Sequence, residues 1–154
     1  MHFAIIKIEA LTTDKEDFAT ELFEDATLDR YSDYYGEIYS EEERREVIES
    51  SWFKDLLSGI AEVDTERETI TYLDEDTIKD TFRKYLLDLT EKLRFKAEQG
   101  ELTGFDFRYA GVEYKENPTM FYENYAMTSF EFAEYAVYRA GETYKIGNIF
   151  DAHC

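Results

Sequence analysis

The chain has 154 residues, of which 44% are hydrophobic, and a formal net charge of −19 at pH 7 from 36 acidic and 17 basic residues. The apolar content excludes disorder by composition, and the longest apolar runs are too short for a membrane-spanning helix. The charge argues against direct binding to nucleic acid or to anionic lipid, because both are negative themselves. It favours a cationic partner.

Two features of the sequence bear on the cellular compartment. Lys7 and Glu9 interrupt the first apolar run after a few residues, which is not the pattern of a secretory signal. The single cysteine, Cys154, is the last residue, so an internal disulfide is impossible. We therefore expect a cytoplasmic protein.

The first 60 residues predict a strand and two helices. Residues 2–10 are rich in β-branched and aromatic types and predict a strand. Thr12 or Thr13 can cap a helix that runs to about Asp25. The stretch 29–43 contains Gly36 and predicts a loop or a broken helix. The apolar face of the first helix comprises Phe18, Ala19, Leu22, Phe23 and Ala26.

A second helix is predicted over about 41–58. Ser40 and Glu43 have the spacing of a capping box at its start, and Gly59 is a suitable stop at its end. Its predicted core face comprises Val47, Ile48, Trp52, Phe53, Leu56 and Leu57.

The middle of the chain predicts a hairpin followed by a long helix. Between Ile60 and Leu73 the apolar residues alternate on either side of a polar four-residue stretch, which indicates two short strands. Residues 75–98 carry an apolar stripe at helical spacing, and Gly100 ends the pattern. The stripe comprises Ile78, Phe82, Tyr85, Leu86, Leu89 and Leu93.

The residues after Gly100 are predicted to be rich in strands. Residues 104–114 alternate, and 133–150 indicate two strands around 140–142, although a helix over 129–139 is the alternative. The sequence therefore predicts one α+β domain over 1–154, with about three helices packed on a largely antiparallel sheet in the order β-α-α-β-β-α-β-β-β.

Motifs that would identify a cofactor or a reaction are missing from the sequence. Its seven glycines are scattered and form neither of the glycine-rich phosphate loops. The acids of 74–76 are expected as helix caps rather than calcium ligands. Asp151, His153 and Cys154 are close enough in sequence to ligate an adventitious metal, but we expect a frayed tail there. We expect no cofactor, no functional metal site and no catalytic residue.

The acidic residues are concentrated in the first third of the chain. Residues 1–50 hold 15 acids and 5 bases, whereas the helix 75–98 intersperses lysines and arginines among its acids. Rows of carboxylates at helical spacing repel one another and are not expected from selection for stability alone. Such rows coarsely imitate the phosphate spacing of a nucleic acid, and tyrosines among them would supply anchoring area. The candidate binding residues are Asp14, Asp17, Glu21, Glu24, Asp29, Tyr31, Asp33, Tyr34, Tyr35, Glu37, Tyr39, Glu42, Glu46 and Glu49.

In size, charge and aromatic content the chain resembles small acidic inhibitors of nucleic-acid enzymes. These are the DNA-mimic anti-restriction and anti-CRISPR proteins and the immunity proteins of nuclease toxins. The resemblance is one of type, without a shared motif, so it transfers no functional residue to this chain.

We therefore expect a binding protein that occupies a basic surface, most simply the nucleic-acid channel of a nuclease or a related protein. The alternatives are a solvated acidic face with no partner, a self-associating structural protein, and a small enzyme or ligand-binding domain. In the last case the site would lie in the aromatic C-terminal sheet, around Tyr109, Tyr114, Tyr122, Tyr125, Tyr135 and Tyr138.

Overall fold

The computed structural model describes residues 2–23, 25–106, 115 and 118–153. One sheet in this part of the chain contains seven strands, which are β1 (His2–Ala10), β2 (Tyr34–Ile38), β3 (Ala61–Asp64), β4 (Thr69–Tyr72), β5 (Met120–Tyr122), β6 (Ala126–Thr128) and β7 (Thr143–His153). The α-helices are α1 (Ala26–Tyr31), α2 (Glu41–Glu49), α3 (Ser51–Leu57), α4 (Glu75–Glu98) and α5 (Ser129–Tyr135). The predicted α+β class is confirmed, with more helices than the three expected. None of the helices in the described ranges is long and apolar enough to cross a membrane.

Strand β7 is the centre of the sheet. The strand order is β3-β4-β7-β1-β5-β6, and β2 also pairs with β7. β1 runs antiparallel to β7 over almost its whole length, from the His2–His153 pair to the Ala10–Tyr144 pair. The other edge of β7 is shared between β4 at its start and β2 at its end. The described strands pair antiparallel except for β1 and β5, which are parallel.

The shared edge of β7 leaves a gap that a buried arginine fills. Arg44 of α2 is 1% exposed. Its Nη2 donates to the carbonyl of Ile146 at 2.6 Å and its Nε to the carbonyl of Gly147 at 2.8 Å. Its Nη1 donates to Glu68 Oε2 at 2.7 Å. The guanidinium thus satisfies carbonyls between β4 and β2 that would otherwise be buried without a partner.

Side chains of β1 alternate between the two faces of the sheet. Ala4 and Ile6 belong to the larger apolar cluster, which α2, α3 and α5 cover. Phe3 and Ile5 belong to a smaller cluster on the opposite face, to which α1 contributes Leu28. The period of two along a strand therefore places helices on both faces of the sheet.

The helix predicted over 14–25 is wrong. This stretch contains a 3-10 turn at Lys15–Asp17, and α1 begins only at Ala26. The backbone groups that a helix would use are instead taken by strand side chains, since Ala19 N donates to Glu9 Oε1 and Asn148 donates to Ala19 O. The stretch 29–43, predicted as a loop or broken helix, contains the end of α1, the whole of β2 and the start of α2.

The predicted capping box is confirmed, but the helix that follows is divided. Ser40 accepts from Glu43 N at 3.2 Å, and Glu43 Oε2 accepts from Ser40 N at 2.8 Å. The predicted helix 41–58 is interrupted at Ser50, whose hydroxyl donates to Val47 O and accepts from Phe53 N. A serine that bonds backbone on both sides ends one helix and caps the next.

Most of the predicted core face of the two helices is buried. Trp52 differs, because 38% of it is exposed. Gly59 follows α3 with φ of +79°, a conformation that favours glycine and fits the predicted stop.

The hairpin and the long helix are confirmed. β3 and β4 pair through Ala61–Tyr72 and Asp64–Thr69, and α4 spans the predicted 75–98. Asp74 caps α4 by accepting from Thr77 N at 2.9 Å, which agrees with the expected capping role of these acids.

The strand predicted at the beginning of 133–150 is wrong, and the alternative holds. Residues 129–135 form α5, a 3-10 segment continues through 136–139, and only the second predicted strand exists, as β7. Thr128 and Glu131 form a second capping box, which is the local reason for the helix. The predicted strand 104–114 lies largely outside the described residues, and its first part, 104–106, is a helical turn.

Candidate functional site

The predicted acidic residues of α1, β2 and α2 lie on successive elements around the edge of the sheet formed by β2. α1 carries Asp29 on one face of the sheet, β2 carries Glu37 at the edge, and α2 carries a row of glutamates on the other face. The row consists of Glu42, Glu46 and Glu49, at helical spacing. Because residues 14–25 are not a helix, the acids of that stretch do not form the expected second row.

The 3-10 turn is attached to the start of α2 by an ion pair. Lys15 Nζ lies 2.6 Å from Glu41 Oε1. The hydrogen bond from Lys15 lowers the pKa of the Glu41 carboxyl below its ordinary value, and nearby Arg44 acts in the same direction. This contact brings the turn, with Asp14 just before it and Asp17 at its end, towards the acidic start of α2.

The candidate acids are exposed and almost all lack an ion-pair partner. Nine of the ten lie within the described ranges, and all nine are exposed. Within those ranges only Glu49 has a cationic partner, the guanidinium of Arg45 at 3.3 Å. The nine are Asp14, Asp17, Glu21, Asp29, Asp33, Glu37, Glu42, Glu46 and Glu49, and Glu24 lies outside the described residues.

The acids of α4 are arranged differently. Glu75 pairs with Lys79, and Asp80 pairs with both Arg83 and Lys84 at 2.9 Å. Arg94 lies between two further glutamates, Glu91 at 3.0 Å and Glu98 at 3.7 Å. Ion pairs therefore compensate much of the negative charge of α4, whereas the described acids around β2 have almost no such compensation.

Three of the four candidate tyrosines contribute mainly to the packing of the fold. Tyr31 and Tyr35 are partly buried against the smaller apolar cluster, and Tyr39 packs against the larger one. Burial and the negative charges of Asp151 and Glu43 raise the pKa of Tyr39. Tyr34 is 55% exposed and is the candidate tyrosine most accessible to a partner.

The alternative aromatic site is present as a small cleft. Tyr125, Tyr135 and Tyr138 of the predicted group line it, together with Tyr72 and the ion pair of Glu123 and Arg139. Its volume is about 90 Å³. Typical small-molecule sites measure ~300–1,000 Å³, so the cleft fits a single side chain or a very small group. Tyr122 is buried, and Tyr109 and Tyr114 lie outside the described residues.

A second polar group lies where the first and last strands meet. Asp151 Oδ2 lies 3.0 Å from His2 Nδ1 and 3.2 Å from His153 Nε2. The expected frayed tail is wrong for Asp151 and His153, because both belong to β7, which pairs with β1 and β2. Cys154 lies outside the described residues. Sequence spacing did not reveal His2, since only strand pairing joins positions so far apart.

Comparison with known proteins returned no match, whether to a family model, to a curated protein or to a solved structure.

Proposed function

We propose that this chain is a stoichiometric binding protein whose acidic β2 edge and α2 row occupy a basic protein surface. The partner belongs to the proteins that handle nucleic acid, such as nucleases, and the chain takes the place of the phosphate backbone in the channel. The proposal assigns the chain no reaction and no direct contact with nucleic acid.

The observation that supports the proposal is the contrast between two acidic regions of one chain. Four of the six acids on α4 have a basic partner within 4 Å, whereas eight of the nine described acids in the candidate site have none. Unpaired like charges repel by roughly 0.2–0.5 kcal/mol for each helical neighbour pair. A basic partner surface would remove that repulsion, and complementary charge would also speed the encounter.

Fewer tyrosines are available to contact a partner than the sequence suggests. Tyr34 combines 55% exposure with a position on β2 among Asp33 and Glu37, so it is the proposed anchor. Tyr31, Tyr35 and Tyr39 would act indirectly, by holding β2 and α2 in place through the core contacts of their rings.

A capture experiment with matched charge variants tests this proposal. The immobilised chain is exposed to a lysate of the source organism, and bound proteins are identified by mass spectrometry. The test variant is Glu42→Lys, Glu46→Lys, Glu49→Lys. The control is Asp88→Lys, Glu101→Lys, Glu134→Lys, which makes the same change in net charge at exposed positions away from the site.

We expect a basic nucleic-acid-binding protein to be captured by the unmodified chain and by the control, and to be lost with the test variant. Elution by salt is expected, because contacts between exposed charges weaken with ionic strength. Equal loss of capture with both variants would show that binding depends on net charge alone. Undiminished capture by the test variant would show that α2 does not belong to the interface. Either result would overturn the proposal.

A further inference from the structure

The two histidines of the chain lie side by side although 151 positions separate them in the sequence. His2 is the first residue of β1 and His153 the last of β7, and the two are direct partners in the antiparallel register. Their ring centroids are 3.8 Å apart. The chain contains no other histidine.

One carboxylate lies close to a nitrogen of each imidazole. Asp151 precedes His153 by two residues on β7, so both side chains point to the same face of the sheet. Asp151 Oδ2 is within 3.0 Å of His2 Nδ1 and 3.2 Å of His153 Nε2. All three potential ligand atoms lie within 4.8 Å of one another, and no other group of three such residues occurs in the described ranges.

We propose that His2, Asp151 and His153 form a site for a zinc-type divalent transition metal. Zinc bonds of about 2.0–2.2 Å place the ligand atoms of a tetrahedral site roughly 3.3 Å apart. The observed separations of 3.0 and 3.2 Å from the carboxylate oxygen are close to that value. A metal ion could therefore be held by these three side chains after only small adjustments of their positions.

The donor set selects the class of metal. Two imidazole nitrogens and one carboxylate oxygen suit zinc and its first-row neighbours, whereas calcium and magnesium prefer all-oxygen sites. Three protein ligands leave a fourth position for water or for a ligand from outside the chain. This position faces solvent, because the side chain of His2 is 66% exposed.

The surroundings of the site hold one ligand in place and favour a cation. The carbonyl of His153 accepts from Asp33 N at 2.7 Å and from Ser32 Oγ at 3.1 Å, which fixes the end of β7. The ring of Tyr34 meets the ring of His153 edge-on at 5.9 Å. Glu37 pairs with Asp151 in the strand register, so negative charge lies on the adjacent strand as well. Such outer contacts orient metal ligands and tune their affinity.

Bound metal would join the first strand to the last. Because a preformed site does not exist in the unfolded chain, binding free energy becomes folding free energy. The site adjoins the proposed partner surface at Tyr34 and Glu37 but uses different side chains, so failure of either proposal leaves the other standing.

Zinc titration of the full chain tests the site. The chain carries no histidine tag, has been treated with a chelator, and contains Cys154→Ser so that a thiol cannot account for binding. Calorimetry gives the stoichiometry, and NMR of the imidazole nitrogens reports on His2 and His153 alone, since the chain has no other imidazole. We expect one equivalent of Zn²⁺ to bind and the signals of both histidines to shift together.

Substitutions distinguish zinc binding at this site from nonspecific attraction of zinc to acidic groups. His2→Gln with His153→Gln should weaken zinc binding by more than the 10–100-fold typical of losing an outer contact. Asp33→Asn with Glu37→Gln, which removes nearby charge but no ligand, should retain one zinc, and excess Ca²⁺ should not displace it. The inference is overturned if one equivalent of zinc fails to bind, if binding survives the histidine substitutions, or if the charge control removes it equally.

Discussion

Arg44 is the residue whose role differs most from what its place in the sequence suggests. It lies in a charged stretch at the start of α2, yet its side chain is 1% exposed and bonds Ile146 O, Gly147 O and Glu68. Only a planar guanidinium offers donors in a fork that reaches two adjacent carbonyls and a carboxylate at once. Sequence patterns place arginine on surfaces, so this contact was not predictable from the helix alone.

Replacing Arg44 by methionine should lower the free energy of unfolding by about 3 kcal/mol, because it leaves buried carbonyls and Glu68 without their donor. Urea denaturation measures the change. Arg45→Met is the matched control on the same helix, since Arg45 is exposed and its bond to Glu49 is a surface pair worth at most about 1 kcal/mol. Equal losses in the two variants would contradict the structural role of Arg44.

At the scale of elements, capping boxes mark the starts of two helices. Ser40 and Glu43 identified the start of α2, and Thr128 and Glu131 carry the same signature at the start of α5. The prediction from sequence rests on the first box only and favours strands over 133–150, with the helix over 129–139 as the alternative. A four-residue capping signal is local chemistry and is a stronger guide than a short alternation, which helices and strands share.

Long-range pairing explains the other misassigned elements. Within the described residues, β2 is an edge strand that pairs only with the far end of β7. In the stretch 14–25, the backbone of Ala19 bonds side chains of β1 and β7 instead of forming helical hydrogen bonds. These contacts join residues that are far apart in the chain, so patterns within a short stretch of sequence do not reveal them. For the same reason, the acids of the candidate site were predictable as a group, while their arrangement around an edge was not.

The helical turn at 104–106 is attached to α4 by one carboxylate. Asp106 accepts from Lys96 at 2.5 Å and from Thr103 N at 2.8 Å. These bonds, with Lys96 the larger cause, lower the pKa of Asp106 to about 2. Because the folded pKa lies below the ordinary value, the contact contributes fully above about pH 4 and is lost as the pH falls through about 2.

We expect an NMR titration of the Asp106 carboxyl carbon to show a midpoint near 2, and Lys96→Met to move that midpoint up towards the ordinary range. Arg94→Met, on the same helix, should leave it unchanged. A midpoint near 4 in the unmodified chain would mean that the turn is not attached to α4 in solution.

At the scale of the whole molecule, the charge of −19 is unevenly compensated. Ion pairs along α4 are weakened by salt, while repulsion among the unpaired acids of the β2 edge is relieved by it. Salt therefore changes the stability of the fold in two opposite directions. Because acids outnumber bases, we expect the relief of repulsion to be the larger effect. Self-repulsion of this kind opposes compaction of the chain.

Raising sodium chloride from about 0.01 M to about 1 M, which shortens the Debye length from ~30 to ~3 Å, should therefore raise the melting temperature by several degrees. The Glu42→Lys, Glu46→Lys, Glu49→Lys variant should gain less than the control at Asp88, Glu101 and Glu134. A melting temperature that falls with salt would mean that the ion pairs dominate and that the acidic edge is not under repulsion.

The proposed occupation of a nucleic-acid channel is tested most directly by competition for the captured partner. Labelled duplex DNA is bound to that protein, and the chain is added while release of the DNA is followed by fluorescence anisotropy. We predict full release at one equivalent of chain per binding site, with the α2 reversal variant at least about tenfold less effective, because both ligands would use the same basic groups. A ternary complex, in which the chain binds while the DNA stays in place, would contradict the proposed function.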